Sequence, residues 1–284
     1  LARELGHHAL LVLGDSDRGR ETLTQGLSDT GIRAAVFHVR GEPTTHLVDE
    51  ATRLARANGC DLVIAVGGGS VIDAGKAVAG LLGNPGDALD YLELVGGGQP
   101  LAHPGVPCVA VPTTAGTGAE VTRNAVLDVP EHRVKASLRS PYLLPRLALI
   151  DPELTLTLPP AITARTGMDA LTQLIEPFVS HAASPLTDGL CREGLVRAAR
   201  SLERAYRDGS DLAAREDMSF AALCGGLALA NAKLGAVHGF AGVLGGVTGH
   251  PHGALCARLL PFVMQTNIQA VAERGDPATL QRFV

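Results

Sequence analysis

The 284-residue chain has no tryptophan, and aromatic residues make up only 3% of it. That scarcity argues against a stacking platform for bases or sugars. Charge of a single sign never accumulates either: 24 basic and 29 acidic residues give a net charge of -5, with no run of five like charges. Nothing suggests a nucleic-acid or membrane surface, so the expected partner is a small molecule. No apolar stretch approaches the roughly 20 residues that span a bilayer, and the start lacks the charged and apolar regions of a secretory leader. The first residue is Leu1 and the last is Val284 within QRFV. Both ends read as clipped.

Cysteine is sparse and scattered: Cys60, Cys108, Cys191, Cys224 and Cys256 contain no C-x-x-C pair and are odd in number. Neither a zinc ribbon nor a disulfide framework is indicated, and a reducing cytoplasm is expected. What the chain does have is hydrophobic content of 46%, enough for one large or two medium domains.

HALLVLGD (8 to 15) and AAVFHV (34 to 39) are short apolar runs with a polar helical stretch between them. THLVDEATRLARANGC (45 to 60) sets Leu47, Ala51, Leu54 and Ala55 on one helical face, and the apolar run DLVIAVGGGS follows at once. VIDAGKAVAGLL is again helical, VPCVAVPTT (106 to 114) is a strand, and LALIDPEL (147 to 154) reads as the last one. Strands apolar throughout and alternating with helices predict an α/β domain with a doubly wound, mostly parallel sheet. Beyond LTLPP the texture becomes rich in Ala, Leu, Arg and Glu, which predicts an all-α second domain. The expected division is 1–158 and 159–284, at the Pro159-Pro160 pair.

Two glycine loops follow strands. In AVGGGSVIDAGK (65 to 76) the glycines permit close approach of a ligand, and the N–H groups of the next helix favour an anion such as pyrophosphate. A tight turn without ligand is the alternative. A Walker loop is excluded by Ser70 and Ala77, and G-x-G-x-x-G fails in AGTGAEV because Val121 stands at its third glycine. PTTAGTGAEVT (112 to 122) offers the hydroxyls of Thr113, Thr114 and Thr117, although Thr-Gly loops also serve as plain turns.

In TGMDALTQLIEPF, Asp169 and Gln173 are four apart and share a helix face. Alone, Asp169 reads as a first-turn acid favoured by the helix dipole. It has company in GAVHGFAGVLGGVTGHPHGALCA (235 to 257), which carries three histidines and seven glycines. His238 and His252 sit in glycine-rich segments able to converge, and a carboxylate with two imidazoles suits zinc or ferrous iron. His250 reads as a loop side chain.

GGGSVIDAGK, PTTAGTGAEVT, GMDALTQLIEP and the VHG and PHG triplets together resemble the iron-containing (group III) alcohol dehydrogenases, from about residue 8 to the end. Members of that family are longer at both termini. The resemblance implies that Gly68, Gly69 and Ser70 hold the pyrophosphate of NAD or NADP, with Asp73 and Lys76 supporting the loop. It further implies that Thr113, Thr114 and Thr117 line the nucleotide, that Asn124 and Lys135 contact nicotinamide or ribose, and that Asp169, His238 and His252 bind Fe2+ or Zn2+.

Two positions depart from the family. Most metal-dependent members carry histidine where this chain has Gln173, a weak neutral oxygen donor, and another where it has Gly242. Related glycerol dehydrogenases use Asp-His-His with zinc, whereas related maleylacetate reductases use no metal. The implied activity is hydride transfer between a small alcohol and NAD(P)+, in a homodimer, with an ion polarising the substrate oxygen at Asp169, His238 and His252. The rivals are a metal-independent maleylacetate-type reductase, a lyase resembling dehydroquinate synthase, and an inactive paralogue. Family members that favour NAD often carry an acid after the first strand, where LGD offers Gly14 or Asp15 depending on a short gap, and the resemblance inclines slightly to NAD.

Overall fold

The computed structural model of the protein describes residues 2–15, 20–275 and 277–283. They form two compact units, Leu1–Thr113 with Ala119–Asp151 and Thr114–Gly118 with Pro152–Val284. The second unit takes up at Pro152, ahead of the Pro159-Pro160 pair, and claims five residues of the Thr-Gly loop.

The first unit runs α1 (Ala2–Leu5), β1 (His8–Leu13), α2 (Arg20–Asp29), β2 (Arg33–His38), α3 (Thr45–Ala57), β3 (Leu62–Gly67), α4 (Gly69–Leu82), α5 (Ala88–Tyr91), β4 (Cys108–Pro112), β5 (Asn124–Val129), β6 (Val134–Arg139) and β7 (Leu147–Ala148). Five strands make a sheet in the order β2-β1-β3-β4-β7. Every pairing in it is parallel, Leu10 standing beside Val63 and Ala65 beside Ala110.

Alternate side chains of each strand feed opposite faces. Leu10, Val12, Val63 and Ala65 join the core under α3 and α4, while Ala9, Leu11, Leu13, Leu62 and Ile64 join one that α1 and α2 complete. Both faces are covered, which is why these strands are apolar throughout. Full burial of each leucine contributes about 1.5–3 kcal/mol.

The α3 face differs slightly from the expected one. Thr45, Val48, Ala51, Thr52 and Ala55 are buried, and Leu47 and Leu54 flank them at half burial.

Two sequence expectations fail here. The strand expected over 147–154 is only Leu147–Ala148, because Pro152 opens a 3-10 turn and cannot donate to a ladder. Between 115 and 146, where no strand was expected, β5 and β6 form an antiparallel hairpin with Ala125, Leu127 and Val129 buried at alternate positions.

The second unit runs α6 (Pro160–Phe178), α7 (Pro185–Arg207), α8 (Leu212–Ala232), α9 (Ala236–Thr248), α10 (His252–Arg274) and α11 (Pro277–Leu280). Pro160 and Pro185 occupy first turns, where the missing N–H has no helical partner to lose. Ala170, Ala198, Ala221, Ala222 and Cys224 keep α6, α7 and α8 close, and Val237, Ala241, Cys256 and Leu260 form a second core. The stretch 235–257, with its seven glycines, is helical on both sides of a break at 249–251. Among the described residues no single helix is long and apolar enough to cross a membrane.

Candidate active site

Asp169 lies in the middle of α6 and is 3% exposed. The first-turn explanation for this acid is therefore wrong, since α6 begins at Pro160 and the dipole acts only within the terminal turn. Something else must compensate a buried carboxylate.

His238 comes from the first turn of α9 and His252 opens α10. His238 Nε2 stands 3.4 Å from Asp169 Oδ1, and His252 Nε2 stands 3.6 Å from the same oxygen. Asp169 Oδ1 and His238 Nε2 are buried without a hydrogen-bond partner among the described residues. Buried polar atoms are almost always satisfied. Three donor atoms that face one another at these separations fit the edges of a metal polyhedron: bonds of about 2.1 Å in tetrahedral array set edges of about 3.4 Å. The predicted ligand set is thus brought together, and it fits a divalent ion.

Two participants escaped the sequence reading. Glu176 accepts a hydrogen bond from His238 Nδ1 at 2.5 Å and from the Val237 N–H at 2.7 Å. That fixes the tautomer which leaves Nε2 free as a ligand. Its signal was the spacing Asp169, Gln173, Glu176 (i, i+4, i+7), one face of one helix. Cys256, one turn beyond His252, joins Asp169, His238 and His252 in a cluster whose ligand atoms all lie within 4.8 Å of one another.

Electrostatics in the ion-free cluster follow from these contacts. Burial opposes a charge on His238, but the neighbouring Asp169, Cys256 and Glu176 outweigh it and raise the imidazole to about 11. Burial pushes Glu176 up, yet His238 and the backbone N–H groups bring it below its ordinary range. Burial holds the Cys256 thiol up.

Gly253 explains the PHG triplet. A Cβ there would lie 2.1 Å from the Arg165 carbonyl oxygen, so only glycine lets the start of α10 close on α6 and carry His252 to Asp169. Gln173 is buried and its side-chain nitrogen donates to the Thr117 carbonyl at 2.8 Å. His250 is exposed in the break between helices.

The nucleotide-side expectations fall mostly in the first unit. Gly68 caps α4, whose first N–H groups, those of Gly69 and Ser70, have no intrahelical partner. A Cβ on Gly75 would lie 2.6 Å from Ala65 Cβ, so glycine seats α4 directly on β3. Asp73 is engaged by the protein: Lys76 Nζ stands 2.8 Å from Oδ1, and the Val126 N–H donates to Oδ2 at 3.1 Å. Lys76, fully buried, also donates to the Ala119 carbonyl and Thr122 Oγ1. This pair braces the loop from within.

Ser70 Oγ lies 3.5 Å from Glu42 Oε2 and Lys135 Nζ 3.1 Å from Glu42 Oε1, so two expected cofactor residues meet at one carboxylate. Asn124 begins β5. Thr113 donates its N–H to Gly67 in the first unit, whereas Thr114 and Thr117 belong to the second.

Comparison with known proteins agrees with this picture. Residues 1–152 match the family profile described as iron-containing alcohol dehydrogenase, and residues 163–280 match that of the C-terminal region of the Fe-containing alcohol dehydrogenase family. The chain is 40% identical to 1,3-propanediol dehydrogenase of Klebsiella pneumoniae over 278 residues, which are 95% of this chain and 70% of that protein. It is 42% identical to 4-hydroxybutyrate dehydrogenase of Cupriavidus necator over 84% of this chain and 64% of that one.

Among solved structures, a 1,3-propanediol oxidoreductase superposes with a TM-score of 0.90 at 37% identity, covering 99% of this chain and 77% of that one. Sulfoacetaldehyde reductase from Bifidobacterium kashiwanohense, in complex with NAD+, gives 0.85 at 32%, covering 94% and 70%. The relatives are named as oxidoreductases acting on alcohols or the corresponding aldehydes. This chain belongs to the iron-containing alcohol dehydrogenase family.

Proposed function

We propose that the chain catalyses reversible hydride transfer between a small alcohol and NAD(P)+, with a divalent ion at Asp169, His238 and His252. The observation that carries this reading is the pair of buried, unsatisfied atoms Asp169 Oδ1 and His238 Nε2, 3.4 Å apart and faced by His252. A bound ion would act as a Lewis acid toward the substrate oxygen, favouring the charge it carries as hydride leaves or arrives.

The protein supplies position and field, and the nicotinamide supplies the hydride. Glu176 accepts the Nδ1–H of His238 and so orients the ring with Nε2 toward the ion. The carboxylate of Asp169 and the ring of His238 are 5% and 9% exposed, whereas His252 is 34% exposed, so the cluster opens to substrate on the His252 side. At α4, the N–H groups of Gly69 and Ser70 favour the pyrophosphate, and Lys135 adds positive charge.

Asp15, exposed at the end of β1, disfavours a 2′-phosphate and supports NAD over NADP, although Arg40 stands 3.5 Å from it. Five free, buried cysteines suit a reducing compartment such as the cytoplasm, and a homodimer is the expected assembly.

The test is metal analysis of the purified protein together with NADH and NADPH oxidation on short aldehydes. One ion per chain with turnover is expected. Absence of both bound ion and turnover after loading with Fe2+ or Zn2+ would overturn the reading.

A further inference from the structure

Cys256 stands four residues past His252 on α10, so both side chains leave the same face. It is fully buried, and its Sγ lies 3.6 Å from His252 Nε2. A tetrahedral ion with bonds of about 2.1 Å to nitrogen or oxygen and about 2.3 Å to sulfur sets N–S edges of about 3.6 Å. Three of the six edges are 3.4 Å for His238–Asp169, 3.6 Å for His252–Asp169 and 3.6 Å for His252–Cys256, and the other three pairs lie within 4.8 Å.

A second observation points the same way: the unsatisfied atoms Asp169 Oδ1 and His238 Nε2 belong to side chains more than nine-tenths buried and aimed into the same cluster.

We propose that the Cys256 thiolate is the fourth protein ligand of the ion, which makes this an Asp-His-His-Cys centre that selects zinc over ferrous iron and takes the substrate oxygen as a fifth donor. The proposal rests on the metal-dependent reading given above. Coordination forms an S–metal bond, breaks the S–H bond and releases its proton to solvent, with no change in oxidation state. One carboxylate and one thiolate then neutralise a divalent cation within its own ligand set, with the Glu176 carboxylate behind His238. A soft sulfur donor beside two imidazoles suits zinc, and cobalt as its spectroscopic substitute, better than an oxygen-rich iron site does.

The protein is loaded with Co2+ and, separately, with Zn2+. The expected results are a near-ultraviolet thiolate-to-cobalt charge-transfer band and, by zinc X-ray absorption, one sulfur scatterer at about 2.3 Å beside nitrogen and oxygen at about 2.0–2.2 Å. Cys256→Ser should abolish both and weaken zinc binding by at least the roughly 10- to 100-fold that loss of a partner behind a metal-bound imidazole brings.

An ion bound with nitrogen and oxygen neighbours only would overturn the assignment of Cys256 and leave the dehydrogenase reading standing. A charge-transfer band that survives Cys256→Ser would also overturn it, since another cysteine would be responsible. Failure to bind any ion would remove the metal reading itself. Should the variant not fold, the absorption spectrum of the unmodified protein decides alone.

Discussion

His238 gives its Nδ1 proton to Glu176 across 2.5 Å, and the same glutamate takes the N–H of Val237, so one side chain of α6 fixes both the ring and the helix end that carries it. Glu176→Gln keeps the shape but can turn an N–H toward Nδ1 and favour the wrong tautomer. Metal affinity should fall about 10- to 100-fold, measured by competition with a chromophoric chelator. Unchanged affinity would remove Glu176 from the site.

His238 must shed a proton to bind an ion. In the ion-free chain Asp169, Cys256 and Glu176 raise its pKa from 6.5 to about 11 against the effect of burial. Metal affinity should therefore rise with pH through the neutral range, about tenfold per unit for each proton displaced, with protons released on binding. The ion-free protein behaves oppositely. A group whose folded pKa is raised adds stability below its unfolded value and loses it as pH climbs through the folded value. Chemical denaturation of ion-free protein between pH 6 and 10 should show a declining contribution from His238, absent in His238→Ala.

Gly253→Ala sets a methyl carbon 2.1 Å from the Arg165 carbonyl, a backbone atom that cannot swing aside. Either α10 retreats from α6 or the turn distorts, at a cost of about 1–3 kcal/mol. Zinc or iron affinity should drop with it, because His252 is the adjacent residue. A variant with unaltered metal affinity and thermal midpoint would contradict the packing role of this glycine.

Lys76 is fully buried and its ammonium serves Asp73, Ala119 and Thr122 together. Lys76→Met deprives the Asp73 carboxylate of its counter-charge, which should cost about 3–5 kcal/mol. Urea unfolding monitored on the first unit should show that loss. NADH affinity should fall with it if α4 and its loop hold the cofactor.

Glu42 draws Ser70 and Lys135 to itself at the edge of the glycine loop. As the carboxylate is half exposed, the pair contributes no more than about 1 kcal/mol. Glu42→Gln should release Lys135 toward phosphate or ribose and tighten NADH binding by up to about fivefold in a fluorescence titration. Weaker binding would mean that Glu42 itself touches the cofactor.

The parallel sheet was readable because its strands, buried on both faces, are apolar without interruption, as LVIAVG of β3 shows. The β5–β6 hairpin was missed because Asn124 to Val129 alternates over only six residues beside a Thr-Gly loop that dominated the local reading. LALIDPEL looked like a strand by composition, but Pro152 cut it short. Asp169, His238 and His252 stood out in their motifs and Glu176 shares the helix face of Asp169 and Gln173, whereas Cys256 carried no pattern that separates a site residue from a helix filler.

By itself the sequence determined the alternation of strand and helix, the switch to an all-helical half and residue types suited to a divalent ion, because periodicity and donor chemistry are local properties. Only the tertiary structure decided that the glycine-rich segment folds as two helices, since helix propensity argues against it and packing on α6 overrides that cost. Distance between residues 169, 238, 252 and 256 is likewise a property of packing. No single helix encodes it, and it took the closeness permitted by Gly253 to set a sulfur within reach of an imidazole and a carboxylate.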